Sequence, residues 1–267
     1  MSRSTTTVEP GRPVRLDEFD PAGDGAAGKK SALAETRDNV KVLADLGYRL
    51  YAEHRRALLL VLQGMDTAGK DGTIRKVMQG FNPQSCRVSS FKVPTPEELD
   101  HDFLWRIHKQ VPRRGEVGIF NRSHYEDVVI VRVHGLVPEQ EWRLRYDHIN
   151  DFERLLTEAG TTVVKIFLHI SKDEQRKRLQ ARLDNPSKRW KFNRRDLDER
   201  KLWDDYQQAY QDAITRTNLG HAPWHIVPAD RKWHRNLIVS RILRNTLEQM
   251  DPRFPPPAED LDGLVVE

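Results

Sequence analysis

A glycine-rich loop, residues 64–72, gives the first indication of chemistry in this chain: Gly-Met-Asp-Thr-Ala-Gly-Lys-Asp-Gly. It has the Gly-x-x-x-x-Gly-Lys spacing of a phosphate-binding loop, in which backbone N–H groups face phosphate oxygens and the lysine adds a cation. Asp71 replaces the usual Ser or Thr that holds Mg²⁺, and Asp66 adds a second carboxylate. Because these carboxylates would repel a phosphate, we expect a metal ion or nearby cations to offset them, as in phosphoryl transfer.

The segments on either side of this loop are those that a phosphate site requires. Residues 57–62 form a continuous apolar run that is typical of a buried parallel strand, and residues 74–81 carry apolar side chains at helical spacing. The order strand, glycine turn, helix therefore favours a phosphate site over an ordinary surface turn. We assign phosphate binding to seven residues of the loop: Gly64, Thr67, Ala68, Gly69, Lys70, Asp71 and Gly72.

A second polar segment, residues 121–127, follows a strand predicted over residues 116–120. Ligands of open α/β sheets bind at the carboxyl ends of the strands, so this segment should share a crevice with the phosphate loop. An arginine can hold phosphate through two hydrogen bonds, and carboxylates can hold Mg²⁺ directly or through water. A simple capping box of Ser123 and Glu126 is the alternative, although both roles are compatible. The nucleotide-binding candidates are Asn121, Arg122, Glu126 and Asp127.

A third segment, residues 172–201, carries twelve Lys and Arg residues against six acidic residues. Arg178 and Arg182 lie four residues apart and therefore on one helix face. Lys188, Arg189 and Lys191 follow a helix break at residues 183–186 and are predicted to bind phosphate. A solvated helix face would also explain such a run. The one-sided charge favours a lid that closes over phosphates and brings arginines to the transferred group.

Composition limits the class of protein. The 267 residues include 31% charged side chains, with a mean hydropathy of −0.72 and a net charge of +4. No apolar stretch approaches the ~18–20 residues of a membrane helix, and no apolar segment of the signal-peptide kind occurs near the start. Cys86 is the only cysteine, which excludes an intrachain disulfide and suits the cytoplasm. The basic balance favours anionic partners.

Alternating strand and helix patterns predict a three-layer α/β fold with a mainly parallel sheet flanked by helices. We expect a flexible N-terminal arm at 1–30, a kinase domain at 31–251 with its lid at about 172–201, and a proline-rich tail at 252–267. A capping box at Thr95 and Glu98 predicts one helix from residue 96 to Pro112. Residues 128–133 are apolar enough for a strand, although a helix is preferred there.

Together the three segments resemble the polyphosphate kinase 2 family. The resemblance is carried by residues 64–72, by Ile119-Phe120-Asn121-Arg122-Ser123-His124-Tyr125-Glu126-Asp127, and by Arg182-Leu183-Asp184-Asn185-Pro186 with Arg189-Trp190-Lys191-Phe192. It covers roughly residues 35–250 and is specific, since three motifs occur in order. Asn121 stands where many members of the family carry Asp. This asparagine makes the chain similar to the class III branch of the family.

This resemblance implies a P-loop kinase fold similar to thymidylate kinase, with a helical arginine-rich lid. It also implies reversible transfer of the terminal phosphoryl group of inorganic polyphosphate to AMP and ADP, giving ADP and ATP. The implied cofactor is Mg²⁺, and the implied assembly is a homo-oligomer, dimer or tetramer. Partners would be polyphosphate and adenine nucleotides, with guanine nucleotides left open, and neither nucleic acid nor a membrane. The implied catalytic residues are Asp66, Lys70, Arg122, Arg178 and Arg182, with Asp66 and Asp127 as metal ligands.

Two other functions stay open at this point. An ATP-dependent nucleoside monophosphate kinase would share the fold and the lid, although the twelve-cation segment and the acidic loop count against it. A non-enzymatic binder of RNA or another polyanion would show salt-sensitive binding without any need for Lys70 in turnover.

Overall fold

The computed structural model of the protein describes residues 7–23, 28–257, 259 and 265–266. Its centre is a five-stranded parallel sheet of β1 Ala57–Gln63, β2 Cys86–Ser90, β3 Val117–Asn121, β4 Thr161–His169 and β5 Trp224–Pro228. The strand order is β2-β3-β1-β4-β5. Every residue of β1 is buried, as expected for a central parallel strand covered on both faces.

Helices flank the sheet in two groups. The helices are α1 Lys29–Glu53, α2 Lys70–Val77, α3 Pro96–Leu99, α4 Trp105–His108, α5 Glu126–Val133, α6 Glu139–Glu158, α7 Lys172–Asp184, α8 Arg195–Lys201, α9 Trp203–Thr217 and α10 Lys232–Met250. In one group α10 packs against α1 and α2, and in the other α5, α6 and α9 pack against one another. The predicted three-layer fold is confirmed, and residues 126–133 are the helix preferred from the sequence.

Strand register decides where the polar segments meet. Leu62 of β1 pairs with Asn121 of β3 on one side and with Ile166 of β4 on the other. The phosphate loop after β1 and the polar segment after β3 therefore leave the same edge of the sheet side by side. Short 3₁₀ helices occur at Leu16–Glu18, Met78–Gly80 and Pro186–Lys191, the last inside the lid.

The helix predicted from residue 96 to Pro112 is wrong, because two short helices, α3 and α4, occupy this stretch. The capping box itself is present, with Glu98 N–H donating to Thr95 Oγ1 at 3.2 Å and Thr95 N–H donating to Glu98 Oε2 at 2.8 Å. Asp102 interrupts the helix, since its carboxylate accepts from Leu104 N–H at 2.9 Å. Such local side-chain bonds compete with helical ones.

The N-terminal segment also differs from the expected flexible arm. Four of its side chains are buried in the core: Val8, Val14, Leu16 and Phe19. Backbone bonds fix it beside β5, with Val8 N–H donating to Trp224 O at 3.0 Å. The prediction of a flexible arm is therefore wrong for residues 7–23. The four apolar side chains are spaced too irregularly to give the periodicity of a helix or a strand, although each of them packs into the core. Residues 1–6 and 24–27 lie outside the described residues.

The start of the proline-rich tail lies against α1. Pro252 is buried, and the Phe254 ring contacts Tyr48 edge-on, with centroids 5.7 Å apart. Within the described residues, no helix combines the length and the apolar character needed to cross a membrane.

Anchoring of the N-terminal segment can be measured by truncating Phe19, which is 6% exposed. We expect Phe19→Ala to lower the free energy of unfolding by about 3–4 kcal/mol, because a buried aromatic ring is lost and a cavity remains. Denaturant titration followed by circular dichroism measures the difference. Leu33→Ala on the outer face of α1, where Leu33 is 44% exposed, is the control and should change stability by less than about 0.5 kcal/mol. Equal effects of the two substitutions would show that the segment is detached in solution.

Candidate active site

The phosphate loop joins the end of β1 to the first turn of α2. Gly64 has φ of +147°, and a Cβ there would lie 2.8 Å from the carbonyl oxygen of Leu168, so only glycine fits. Gly69, at the N-cap of α2, has φ of +110°, and Thr67 has φ of +65°. This sequence of left-handed residues turns the chain tightly between strand and helix. The N-terminus of α2, with its free N–H groups, is thereby placed at the end of the loop.

Lys70 folds back over this loop. Its Nζ donates to Gly64 O at 2.6 Å and approaches Met65 O at 3.5 Å. Burial, together with the positive charge of Arg122, lowers the pKa of Lys70 to about 8. A phosphate group bound in the loop would favour the charged ammonium and so raise the pKa of Lys70. Lys70 would therefore be fully charged when an anion is bound.

Arg122 is the cation at the centre of the site. It has φ of +65°, and its guanidinium bridges Asp66 at 2.8 Å and Glu126 at 3.2 Å. The charges of Glu126 and Asp66 raise the pKa of Arg122 above its already high value, so the guanidinium stays charged. Asn121 connects the same turn to the loop, with Nδ2 donating to Asp71 Oδ1 at 2.9 Å. These contacts join the two polar segments directly, as the sequence predicted.

A cavity of about 680 Å³ opens beside the first half of the loop. Asp66, Arg122 and Glu126 form its charged end. Its apolar part includes Phe91, Phe103, Ile130, Val131, Leu136 and Val137. A cavity of this size, with a charged end and an apolar body, fits a ligand that combines a phosphate with an aromatic base.

Residues of the lid that were not singled out from the sequence reach this cavity: Gln175, Asn193, Arg195 and Glu199. Glu199 of α8 accepts from the Tyr206 hydroxyl at 2.5 Å and lies 3.0 Å from His134 Nε2. The lid is therefore tied to the body of the protein at the cavity wall.

The predicted lid arginines occupy different positions. Arg178 uses all five of its N–H groups on protein oxygens, those of Glu174, Thr67, Ala68, Ala229 and Asp230. In this geometry it supports the back of the phosphate loop and is not among the residues that line the cavity, and its catalytic role stays a prediction. Arg182 is partly exposed and lies 3.7 Å from Asp196. Lys188, Arg189 and Lys191 are exposed on the 3₁₀ helix.

The two predicted metal ligands differ in their surroundings. Asp127 is mostly buried and lies between Arg106 at 3.4 Å and Arg145 at 3.9 Å, so its carboxylate serves an internal ion pair. Asp127 also lines the cavity, and its metal role stays a prediction. Asp66 has 33% of its side chain exposed and lines the cavity. No group of three potential metal-ligating side chains occurs in the part of the chain that the structure describes. Magnesium in phosphoryl transfer often needs only one or two carboxylates plus phosphates, so Asp66 alone still fits.

Behind the second polar segment lies a buried ion pair that the sequence did not predict. Lys165 and Glu153 have 0% and 1% exposed side chains, and Lys165 Nζ lies 2.6 Å from Glu153 Oε2. Tyr125 donates to Glu153 Oε1 at 2.8 Å, and His124 Nε2 lies 3.2 Å from the same oxygen. His124 and Tyr125 therefore anchor the turn, while Arg122 faces the site.

Arg235 of α10 is a further residue at the site that the sequence analysis missed. It is 2% exposed and donates to Ala68 O at 3.1 Å. A separation of 167 residues from the loop leaves no local pattern that could have revealed it.

Lys70 should make anion binding depend on pH. Because its pKa is about 8 in this structure and a bound phosphate would raise it, binding takes up a proton above that pH. We expect the affinity for inorganic tripolyphosphate to fall roughly tenfold per pH unit above about pH 8. Calorimetric titrations at neutral and alkaline pH measure this change. Lys70→Met should bind more weakly and with a flat profile, and an equally flat wild-type profile would contradict the assignment.

Comparisons with known proteins agree with this geometry. The family described as Polyphosphate kinase 2 matches residues 26–255. An AMP/ADP-polyphosphate phosphotransferase of Meiothermus ruber is 53% identical over 262 residues, covering 97% of this chain and 98% of that protein. An ADP-polyphosphate phosphotransferase of Rhodopseudomonas palustris is 48% identical over 231 residues, covering 82% and 80%.

A solved structure gives the same result at the level of the fold. The crystal structure of Polyphosphate Kinase 2 from Arthrobacter aurescens superposes with a TM-score of 0.92 at 48% identity, covering 96% of this chain and 92% of that one. Since the family match spans most of the chain and the similar proteins cover it almost completely, this chain belongs to the polyphosphate kinase 2 family.

Proposed function

We propose that this protein transfers the terminal phosphoryl group of inorganic polyphosphate to AMP and ADP, forming ADP and ATP, and that the reaction is reversible. Membership of the polyphosphate kinase 2 family supports this function. The Meiothermus ruber protein, which shares 53% identity, is named for both acceptors, AMP and ADP.

The observation that carries the proposal is the difference between the two sides of the phosphate loop. Asp66 and Met65, in the first half, line a cavity of nucleotide size. Thr67 and Ala68, in the second half, contact arginines, and Arg178 lies against the oxygens of both. A nucleotide acceptor on one side and a polyanionic donor on the other fit this arrangement better than two nucleotides do.

Further cations extend the donor side. Burial and the neighbouring charges of Arg178, Arg235 and Lys188 lower the pKa of Lys232. Like charges gathered in this way repel one another, so a chain of phosphates that binds among them is favoured. Lys188, Arg189 and Lys191 of the lid are exposed and form no salt bridge with a described residue. Arg189 Nε donates to Leu183 O at 2.7 Å, and the other N–H groups of this side chain can meet such a chain.

Catalysis at this site needs positioning and charge neutralisation. The attacking oxygen of AMP or ADP is already anionic at neutral pH, so the site requires no strong general base. Arg122 holds the acceptor phosphate at the charged end of the cavity, and Lys70 moves to the phosphates in the loop. Mg²⁺, held by Asp66 together with the phosphates, would neutralise charge that develops on the transferred group. Arg182, which lies on the lid, is assigned to the charge that develops on the transferred group.

We further propose a cytoplasmic homo-oligomer, dimer or tetramer, that acts on adenine nucleotides and needs Mg²⁺. The substrates AMP and ADP and the single thiol of Cys86 fit a reducing compartment that is rich in nucleotides. The kinase domain is proposed to span 31–251, with the lid at 172–201.

Incubation with Mg²⁺, long-chain polyphosphate and AMP, without ATP, tests the function. We expect ADP and then ATP to appear by chromatography. Lys70→Ala should reduce transfer by about 10²–10³-fold while much of the polyphosphate binding persists, because a cation that stabilises the transition state is lost. The control is Lys76→Ala, on the same helix but exposed, which should leave the rate unchanged.

Other outcomes of this assay have defined meanings. ATP from ADP but none from AMP would restrict the acceptor to ADP. Product only when ATP is supplied as donor would replace the proposal with an ATP-dependent nucleoside monophosphate kinase. Binding of polyphosphate without any transfer would replace it with a polyanion binder.

Asn121 is expected to decide how both acceptors are accommodated. In Asn121→Asp, a carboxylate would replace the amide that donates to Asp71 at 2.9 Å, and the two charges would repel each other. We expect the ratio of kcat/KM for AMP to that for ADP to change by about tenfold, since repulsion displaces the turn that carries Arg122. Steady-state kinetics with each acceptor measures the ratio, and an unchanged ratio would refute a role for Asn121 in acceptor choice.

A further inference from the structure

Helix α10 places one buried arginine against the phosphate loop. Arg235 is 2% exposed, and its Nη1 donates to Ala68 O at 3.1 Å. Its Nε and Nη2 donate to Asn236 Oδ1 at 3.2 and 2.9 Å, which fixes the plane of the guanidinium. The guanidinium is therefore held rigidly against the loop and away from solvent.

Two glycines of the loop motif make room for this guanidinium. A Cβ on Gly69 would lie 1.8 Å from Arg235 Nη1, and a Cβ on Gly72 would lie 3.2 Å from Nη2. Gly69 is also required by its φ of +110°, whereas Gly72 is not among the residues with positive φ. Glycine inside a helix is less stable than alanine by about 1 kcal/mol. A methyl group at position 72 would thus crowd the guanidinium of Arg235, which glycine avoids.

No carboxylate among the described residues balances the charge of Arg235. It forms no ion pair with a described residue, and Arg178 Nη1 donates to the same oxygen of Ala68 at 3.1 Å. Burial and the charge of Arg178 lower the pKa of Arg235 to about 10, which leaves it charged at neutral pH. Arg178 is balanced by Glu174 at 2.8 Å, whereas Arg235 is a buried cation without such a partner among the described residues. A buried unpaired cation is unfavourable for stability alone, so a purely structural role explains Arg235 poorly.

We propose that Arg235 is a positioning residue for phosphoryl transfer and acts through the peptide group that joins Ala68 to Gly69. With Arg178 it holds the Ala68 carbonyl outward, and because a trans peptide is planar, the N–H of Gly69 points to the opposite side, into the loop. Hydrogen bonds from two cations also polarise this peptide, so its N–H becomes a stronger donor to a phosphate oxygen. The inference rests on the proposed function, since the donor phosphates are the ligand that this N–H would hold.

Kinetics of Arg235 variants test the proposal. We expect Arg235→Met to lower kcat by about 10²-fold, the usual effect of losing one oriented donor, and to weaken tripolyphosphate binding by about tenfold, with the KM for AMP unchanged. Arg235→Lys should recover part of kcat, because an ammonium can still donate to Ala68 O. The control is Arg244→Met on the same helix, where Arg244 is half-exposed and pairs with Glu248. It should leave all three quantities unchanged.

A double-mutant cycle with Gly72 separates positioning from general stabilisation. Gly72→Ala should lower kcat, since its methyl group crowds Nη2, but it should add no further loss in Arg235→Met. The proposal would be overturned if the effects of the two substitutions on kcat were additive. It would also be overturned if kcat, tripolyphosphate affinity and AMP affinity all fell equally, in proportion to the folded fraction. A wild-type kcat in Arg235→Met would overturn it as well.

Failure of the proposed function gives a different result. If the wild-type protein transfers no phosphoryl group from polyphosphate, the proposed function is refuted. The role of Arg235 at the loop is then tested by tripolyphosphate binding alone. In that case, equal tripolyphosphate affinity of Arg235→Met and Arg244→Met would also refute the positioning role of Arg235.

Discussion

Parallel pairing of β1 with both β3 and β4 is the constraint on which the site depends. It sets Leu62 beside Asn121, so that the phosphate loop and the arginine-bearing turn leave the sheet next to each other. Neither turn could hold its shape alone, because Thr67 and Arg122 both have φ of +65°, which costs of order 1 kcal/mol or more for a residue other than glycine. The surrounding contacts offset this strain: Arg178 and Arg235 hold the loop, and the Lys165–Glu153 pair holds the turn through His124 and Tyr125.

Charge balance is the second principle that organises the site. Acidic groups inside a phosphate loop would oppose anion binding if they were unpaired, and here each has a partner: Asp66 has Arg122, and Asp71 has the amide of Asn121. The carboxylates of the loop are therefore held in internal pairs, and a phosphate that reaches Arg122 exchanges one pair for another. The free-energy change on binding is then a difference between similar interactions, which suits a reaction that must also release its products.

Much of this could be predicted from the sequence, and the failures have physical causes. The phosphate loop, the turn at 121–127 and the three-layer fold follow from local spacing and from strand patterns, which operate over a few residues. The helix over 96–112 failed because Asp102 offered a competing local bond. The contacts of Arg178 and Asp127 involve partners outside their own motifs, Ala229 for the first and Arg145 for the second, and residue type alone does not give these contacts. Arg235 was missed for the same reason.

The buried Lys165–Glu153 pair has a consequence for how this family member can change over time. Removing one member of such a pair leaves an uncompensated charge with almost no exposure to water, which typically destabilises a protein by 3–5 kcal/mol, whereas replacing both by apolar groups is often tolerated. Substitutions at positions 153 and 165 are therefore accessible as a pair but not one at a time. The exposed basic segment at 188–191 faces no such restriction on stability, so single substitutions there should leave the fold intact and act on the binding of phosphates alone.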